Sequence, residues 1–135
     1  MSSPPLLISN VNVFDSVDGR ITGPMDVAIS DGLIKSVTRA VSANVLGETI
    51  DGTGQTLIPG LIDAHWHMAF TTIPAAMAQL SEPGYVFARA IANAEQTLLR
   101  GFTTVRDLGG PVFGIKAAID EGVVLGPRIY PAGAF

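Results

Sequence analysis

Hydrophobic and polar positions divide the chain into two differently patterned parts. Up to about residue 58 the apolar residues come in short runs punctuated by aspartate and glycine. Leu6-Leu7 opens a predicted strand that alternates from Ile8 onward, with Ile8, Asn10, Asn12 and Phe14 on one side. Residues 15–23 have the polar and glycine content of a turn or loop. Residues 26–30 and 33–37 read as strands joined across Asp31-Gly32, a dipeptide suited to the positive φ angles of a type I′ turn. A further strand, turn and strand follow over 48–58. Beyond residue 70 the period changes. Phe87, Ile91, Ala94 and Leu98 recur at steps of four, three and four, which predicts a helix over 83–100. Ser81 or Glu82 is placed to cap it, Pro83 suits its first turn and Gly101 its end, while Arg89, Asn93, Gln96 and Arg100 are expected to face water. Residues 102–106 form the next predicted strand, 111–121 a helix opened by Pro111 and closed by Gly122, and 128–131 begin a third strand. Alternating strands and helices imply parallel βα units, whose strand C-termini share one face.

The stretch 56–68, Thr-Leu-Ile-Pro-Gly-Leu-Ile-Asp-Ala-His-Trp-His-Met, joins the two parts. Pro59-Gly60 breaks any regular element, and a strand over 61–67 would put Leu61, Asp63, His65 and His67 on one side. Ala64 and Trp66 would face the other way. Two imidazoles on one face near a strand's C-terminal end make a pair of nitrogen ligands suited to zinc and similar ions. The competing reading is a pair of buried, hydrogen-bonded imidazoles, and a bare His-x-His does not decide between them. Arg106, Asp107 and Tyr130 fall near the same end of the predicted sheet. Arg106 is a candidate to bind a substrate carboxylate in bidentate fashion, or else to fix the turn before Pro111. Tyr130 is a candidate to hydrogen-bond substrate, or else packs. Asp107 is better explained as a cap for the Leu108-Gly109-Gly110 turn than as a catalytic base. Asp63 is a candidate to orient a ligand imidazole. The connection over 70–81 carries loose patterning, and Met68, Phe70, Met77 and Leu80 either line a pocket or cover the helix layer.

Composition narrows the chemistry. Forty-seven per cent of the 135 residues are hydrophobic and 15% charged, enough for a real core. There is no cysteine, so neither disulfides nor thiolate sites are available and any metal is held by nitrogen and oxygen. The net charge of −4 comes without a basic cluster, which argues against nucleic acid or an anionic membrane as partner. Met1-Ser-Ser-Pro-Pro lacks the positive region of a secretory signal and Leu6-Leu-Ile-Ser is too short to span a membrane, so the expected location is cytoplasmic.

The segment Pro59-Gly60-Leu61-Ile62-Asp63-Ala64-His65-Trp66-His67 resembles the Pro-Gly-x-Ile-Asp-x-His-x-His stretch that opens the barrel of the amidohydrolase superfamily. Thr103-Thr-Val-Arg-Asp-Leu-Gly-Gly110 is similar to its imidazolonepropionase-like and prolidase-like members. The resemblance implies an α/β fold: residues 1–58 as part of a composite β-sandwich, and 59–135 as the first βα units of a (β/α)₈ barrel. It implies His65 and His67 as ligands of one or two divalent ions, zinc foremost, and hydrolysis by metal-activated water. The expected substrate is a small amide or peptide: a dipeptide, an N-acyl amino acid or a cyclic amide. A homo-oligomer of the full-length protein is expected. The family also uses a lysine, two further histidines and an aspartate from later strands. Lys35 and Lys116, the only lysines, fall on a hairpin and an outer helix, so no catalytic residue is assigned within these 135 residues. A barrel of this type needs about 250 residues. The expectation is therefore the N-terminal piece of a longer enzyme, inactive alone. The alternative is a non-catalytic fragment that folds only with the rest of the barrel or a partner chain.

Overall fold

A computed structural model of the chain describes residues 4–39 and 47–133. Two compact units meet at the Pro59-Gly60 break, Met1–Pro59 and Gly60–Phe135.

The first unit is one sheet. Strands β1 (Leu6–Asp15), β2 (Arg20–Ser30) and β3 (Leu33–Thr38) form an antiparallel meander, and β4 (Glu48–Asp51) and β5 (Thr56–Leu57) both run parallel to β1. Asp31 and Gly32 have φ of 53° and 71°, the pair of positive angles that the predicted type I′ turn requires. Two expectations need correcting. The alternation of β1 does not run through, because Asn10 sits at φ 55° and the register with β2 shifts between Ile8 and Val11. This bulge turns Val11 inward to 2% exposure and lets the Asn10 N–H donate to Asp26 Oδ1 at 2.9 Å. β4 and β5 do not pair across a turn either. They lie in series along β1, and the turn between them steps past the bulge, where Gly52 N–H donates to Ser9 O and Asn12 N–H to Gln55 O. Within that turn the hydroxyl and then the N–H of Thr53 donate to Asp51, holding its carboxyl below the usual aspartate range. Residues 40–46, part of the stretch read as β, lie outside the described residues.

The second unit layers helices on a parallel sheet ordered β6 (Leu61–Trp66), β7 (Phe102–Asp107), β8 (Arg128–Pro131). Helix α2 (Pro83–Leu99) connects β6 to β7, and α3 (Phe113–Asp120) connects β7 to β8. A short helix α1 (Ala75–Leu80) occupies the connection whose patterning was loose. Pro83 opens α2 as expected, and Gly101 (φ 93°) and Gly122 (φ 74°) follow α2 and α3. Helix α3 starts at Phe113 rather than at Pro111.

The buried stripe of α2 is rotated from the predicted one. Val86, Ala90, Asn93, Ala94 and Thr97 are buried, whereas Phe87 stays exposed and Ile91 and Leu98 only half-buried. Small residues let the helix approach the sheet closely, so the face with the largest side chains is not the face that packs. The core gathers Trp66, Met68, Ala90, Ala94, Val105, Val112, Ile115 and Ile129 between sheet and helices. A second cluster, Ala69, Ile73, Ala78 and Val86, anchors the β6–α2 connection. Met68 therefore belongs to the core and not to a pocket lining. Among the described residues no helix is long and apolar enough to cross a membrane.

Candidate metal centre

Strand β6 ends at Trp66, whose indole is buried against the helix layer. His65, the residue before it, is exposed, and His67, the residue after it, is half-buried. Their ring centroids lie 5.4 Å apart with the planes at 67°, so both imidazoles project to the same side where the strand stops. His67 lies 6.4 Å from the Phe70 ring, centroid to centroid. A strand end sets this spacing with little loss of side-chain freedom, and two neutral imidazoles side by side suit a borderline-soft divalent ion.

The pair is held from below by irregular pairing. Asp63 is opposite Val105 and Trp66 opposite Asp107, so β6 carries one extra residue between these two pairings. Strict alternation is broken there, and Asp63 does not continue the His65–His67 row. Its carboxylate instead accepts the His65 backbone N–H at 3.0 Å, which ties the bulge in place. Asp63 thus holds the His65 backbone.

Arg106 and Tyr130 are register partners on β7 and β8 and both are exposed. Their neighbours Val105, Asp107 and Ile129 are buried on the helix side, so Arg106 and Tyr130 occupy the opposite face. Trp66 shares a register position with Asp107, which puts His65 and His67 on the Arg106 side as well. The sheet therefore carries two imidazoles, a guanidinium and a phenol on one face near the strand C-termini.

Asp107 is fully buried and caps its own turn as anticipated, its Oδ1 accepting the Gly109 N–H at 3.0 Å. Its second oxygen was not anticipated: Oδ2 accepts the Met68 N–H at 2.8 Å, from the residue after His67. Asn93, expected to face water, is 7% exposed and donates to Met68 O at 3.3 Å and to Thr71 Oγ1 at 2.6 Å. A polar residue spaced with the buried Ala90, Ala94 and Thr97 was the only sequence signal for it. Beside the connection an apolar hollow of about 260 Å³ is lined by Phe70, Ala78, Gln79, Ser81, Pro83, Val86, Phe87 and Pro111. Of the four residues proposed to line a pocket only Phe70 reaches it; Met77 and Leu80 are exposed.

Among the described residues no group of three or more His, Cys, Asp or Glu converges to hold a metal. The donor set fits a metal in part: two imidazoles stand side by side, half the donors of a tetrahedral site.

The amidohydrolase family profile matches residues 56–135. A dihydroorotase from Pelotomaculum thermopropionicum is 34% identical over 140 residues, covering 96% of this chain and 29% of its own length. The crystal structure of a prolidase complexed with N-methylphosphonate-L-proline superimposes with a TM-score of 0.87 at 30% identity, covering 96% of this chain and 32% of the prolidase. That of a Xaa-Pro dipeptidase with methionine bound in its active site gives 0.84 at 28% identity, over 96% and 33%. The chain thus spans about a third or less of these proteins.

Proposed function

The chain belongs to the amidohydrolase family, and from that membership we propose that His65 and His67 are two ligands of a divalent metal ion in a C–N bond hydrolase. Its fold agrees: an α/β chain in which a β unit precedes the opening βα units of a (β/α)₈ barrel. The observation that carries the proposal is the pair of imidazoles side by side at the end of β6. In the whole protein the substrate is a small amide or peptide-like molecule: a dipeptide, an N-acyl amino acid or a cyclic amide. The prolidase and Xaa-Pro dipeptidase likenesses favour the dipeptide.

His65 and His67 would hold the ion, zinc foremost, which when bound would supply Lewis acidity toward the scissile carbonyl and a water nucleophile usable near neutral pH. The chain's own residues hold and orient. His65 and His67 bind through ring nitrogens, which requires their neutral form. The Arg106 fork suits a substrate carboxylate in bidentate fashion, and the Tyr130 hydroxyl, its register partner, adds a hydrogen bond. The remaining metal ligands and the groups that move protons come from other parts of the whole protein, which works in the cytoplasm. The first unit is part of a composite β-sandwich, a reading supported by exposed Ile21, Leu33, Ile34, Val37 and Ile50 on its sheet.

Native mass spectrometry of the full-length protein tests the metal assignment. One or two zinc-mass ions per chain are expected, with His65→Ala and His67→Ala each losing metal and amide hydrolysis together. Retention of the full metal load by both variants would sink the assignment.

A further inference from the structure

We propose that Asp107, supported by Asn93, is a positioning residue for the His67 imidazole, acting through the peptide group that joins His67 to Met68. The proposal rests on the reading of His65 and His67 as metal ligands.

That peptide group is gripped at both polar ends. Its N–H, contributed by Met68, donates to the buried Asp107 Oδ2 at 2.8 Å. Its C=O, contributed by His67, accepts the Thr71 Oγ1 hydroxyl at 2.8 Å and the backbone N–H groups of Phe70 and Thr71 at 3.0 Å. The Thr71 hydroxyl is itself held by Asn93 Nδ2 at 2.6 Å. Asn93 also donates to the carbonyl of Met68, whose side chain is fully buried in the core beside Trp66. A planar peptide fixed at both ends cannot rotate, and its orientation sets the ψ angle of His67. On the other side of His67 the Trp66 carbonyl accepts the N–H of Leu108, the residue that follows β7, at 2.9 Å. The Cα–Cβ direction of His67 is therefore imposed by residues of β7 and α2.

A purely structural turn cap needs one carboxylate oxygen, and Gly109 takes it. The second oxygen is spent on the residue after a ligand, in a site where a buried carboxylate is costly without such donors. Asn at 107 keeps the turn acceptor but sets an amide N–H₂ against the Met68 N–H. It should therefore release the peptide and loosen the ring while sparing the turn.

The test uses the full-length protein, stripped of metal and titrated with Co²⁺, read by equilibrium dialysis and visible absorption. Asp107→Asn is expected to weaken Co²⁺ binding by about tenfold or more and to alter the ligand-field bands. Val105→Ala, a core truncation in the same strand, is expected to lower the melting temperature while keeping wild-type affinity and bands. Asn93→Ala moves affinity the same way by a smaller factor, and carries the test if the Asp107 variant does not accumulate folded. Wild-type affinity and bands in the folded Asp107 and Asn93 variants, with His65→Ala losing Co²⁺, overturn this proposal alone; so does an equal loss in Val105→Ala. Failure of the wild type to bind Co²⁺, or undiminished binding by His65→Ala, overturns the metal-site reading and this proposal with it.

Discussion

Gly60 has no room for a side chain. A Cβ there would fall 2.8 Å from the Thr103 Cβ and closer still to that residue's Oγ1 and Cγ2, so adding a methyl forces β6 and β7 apart at their start. Gly60→Ala is expected to destabilise the protein by about 1–3 kcal/mol, the usual cost of overpacking, as read from a denaturant melt. Adding Thr103→Ser should recover little, because the Thr103 Cβ is itself part of the obstruction. At this scale the sequence spoke unevenly. The side-by-side placement of His65 and His67 was legible because a short motif fixes their spacing on one strand end. The turn-capping oxygen of Asp107 was legible because the glycines after it demand a cap. Its other oxygen was not, because the Met68 N–H it accepts lies thirty-nine positions earlier. Asn93 was misread because polarity alone sent it to the solvent side of α2.

Single elements show what periodicity omits. The pattern of large apolar residues put Phe87, Ile91, Ala94 and Leu98 on the packed face of α2, but close approach to the sheet selects small side chains. Ala90→Leu is therefore expected to cost about 1–3 kcal/mol by overpacking, and Phe87→Ala to cost less, with thermal melting as the comparison. A helix packed on the originally predicted stripe would reverse that order. The hairpin across Asp31-Gly32 was readable because turn chemistry is local. The series of β4 and β5 along β1 was not, because parallel pairing over forty residues leaves no mark on the turn between them. Bulges at Asn10 and after Asp63 likewise reset the faces that alternation assigns. A bulge is one extra residue, and nothing in the hydrophobic count announces it.

At the largest scale, the sheet of the second unit has open edges among the described residues. β6 and β8 end the second sheet, and Leu61 and Ile62 on β6 remain exposed, Ile62 at 70%. Such edges recruit other strands. A polypeptide of residues 1–135 expressed alone is expected to self-associate in light scattering and to hydrolyse no amide substrate. A full-length protein should stay monodisperse and active. Monomeric behaviour of the short polypeptide at high concentration would show that these edges are protected in some other way. The α/β class was legible because beyond residue 70 stretches with a period near 3.6 alternate with short strands. What closes the edges was not legible, since no local pattern names the partner of an edge strand.

The ties at Asp107 also carry an order in time. Strands β6, β7 and β8 pair in the sequence in which they are synthesised, and none waits for a later strand to come between. Leu108 bonds back to Trp66, Asp107 back to Met68, and Ala132 back to Asp107, so each new strand end docks on one already made. Domains form from the N-terminus as the chain emerges from the ribosome. The hydrogen bonds that seat the two imidazoles are all made by residues no later than 109, so they can form before α3 and β8 complete the core around them.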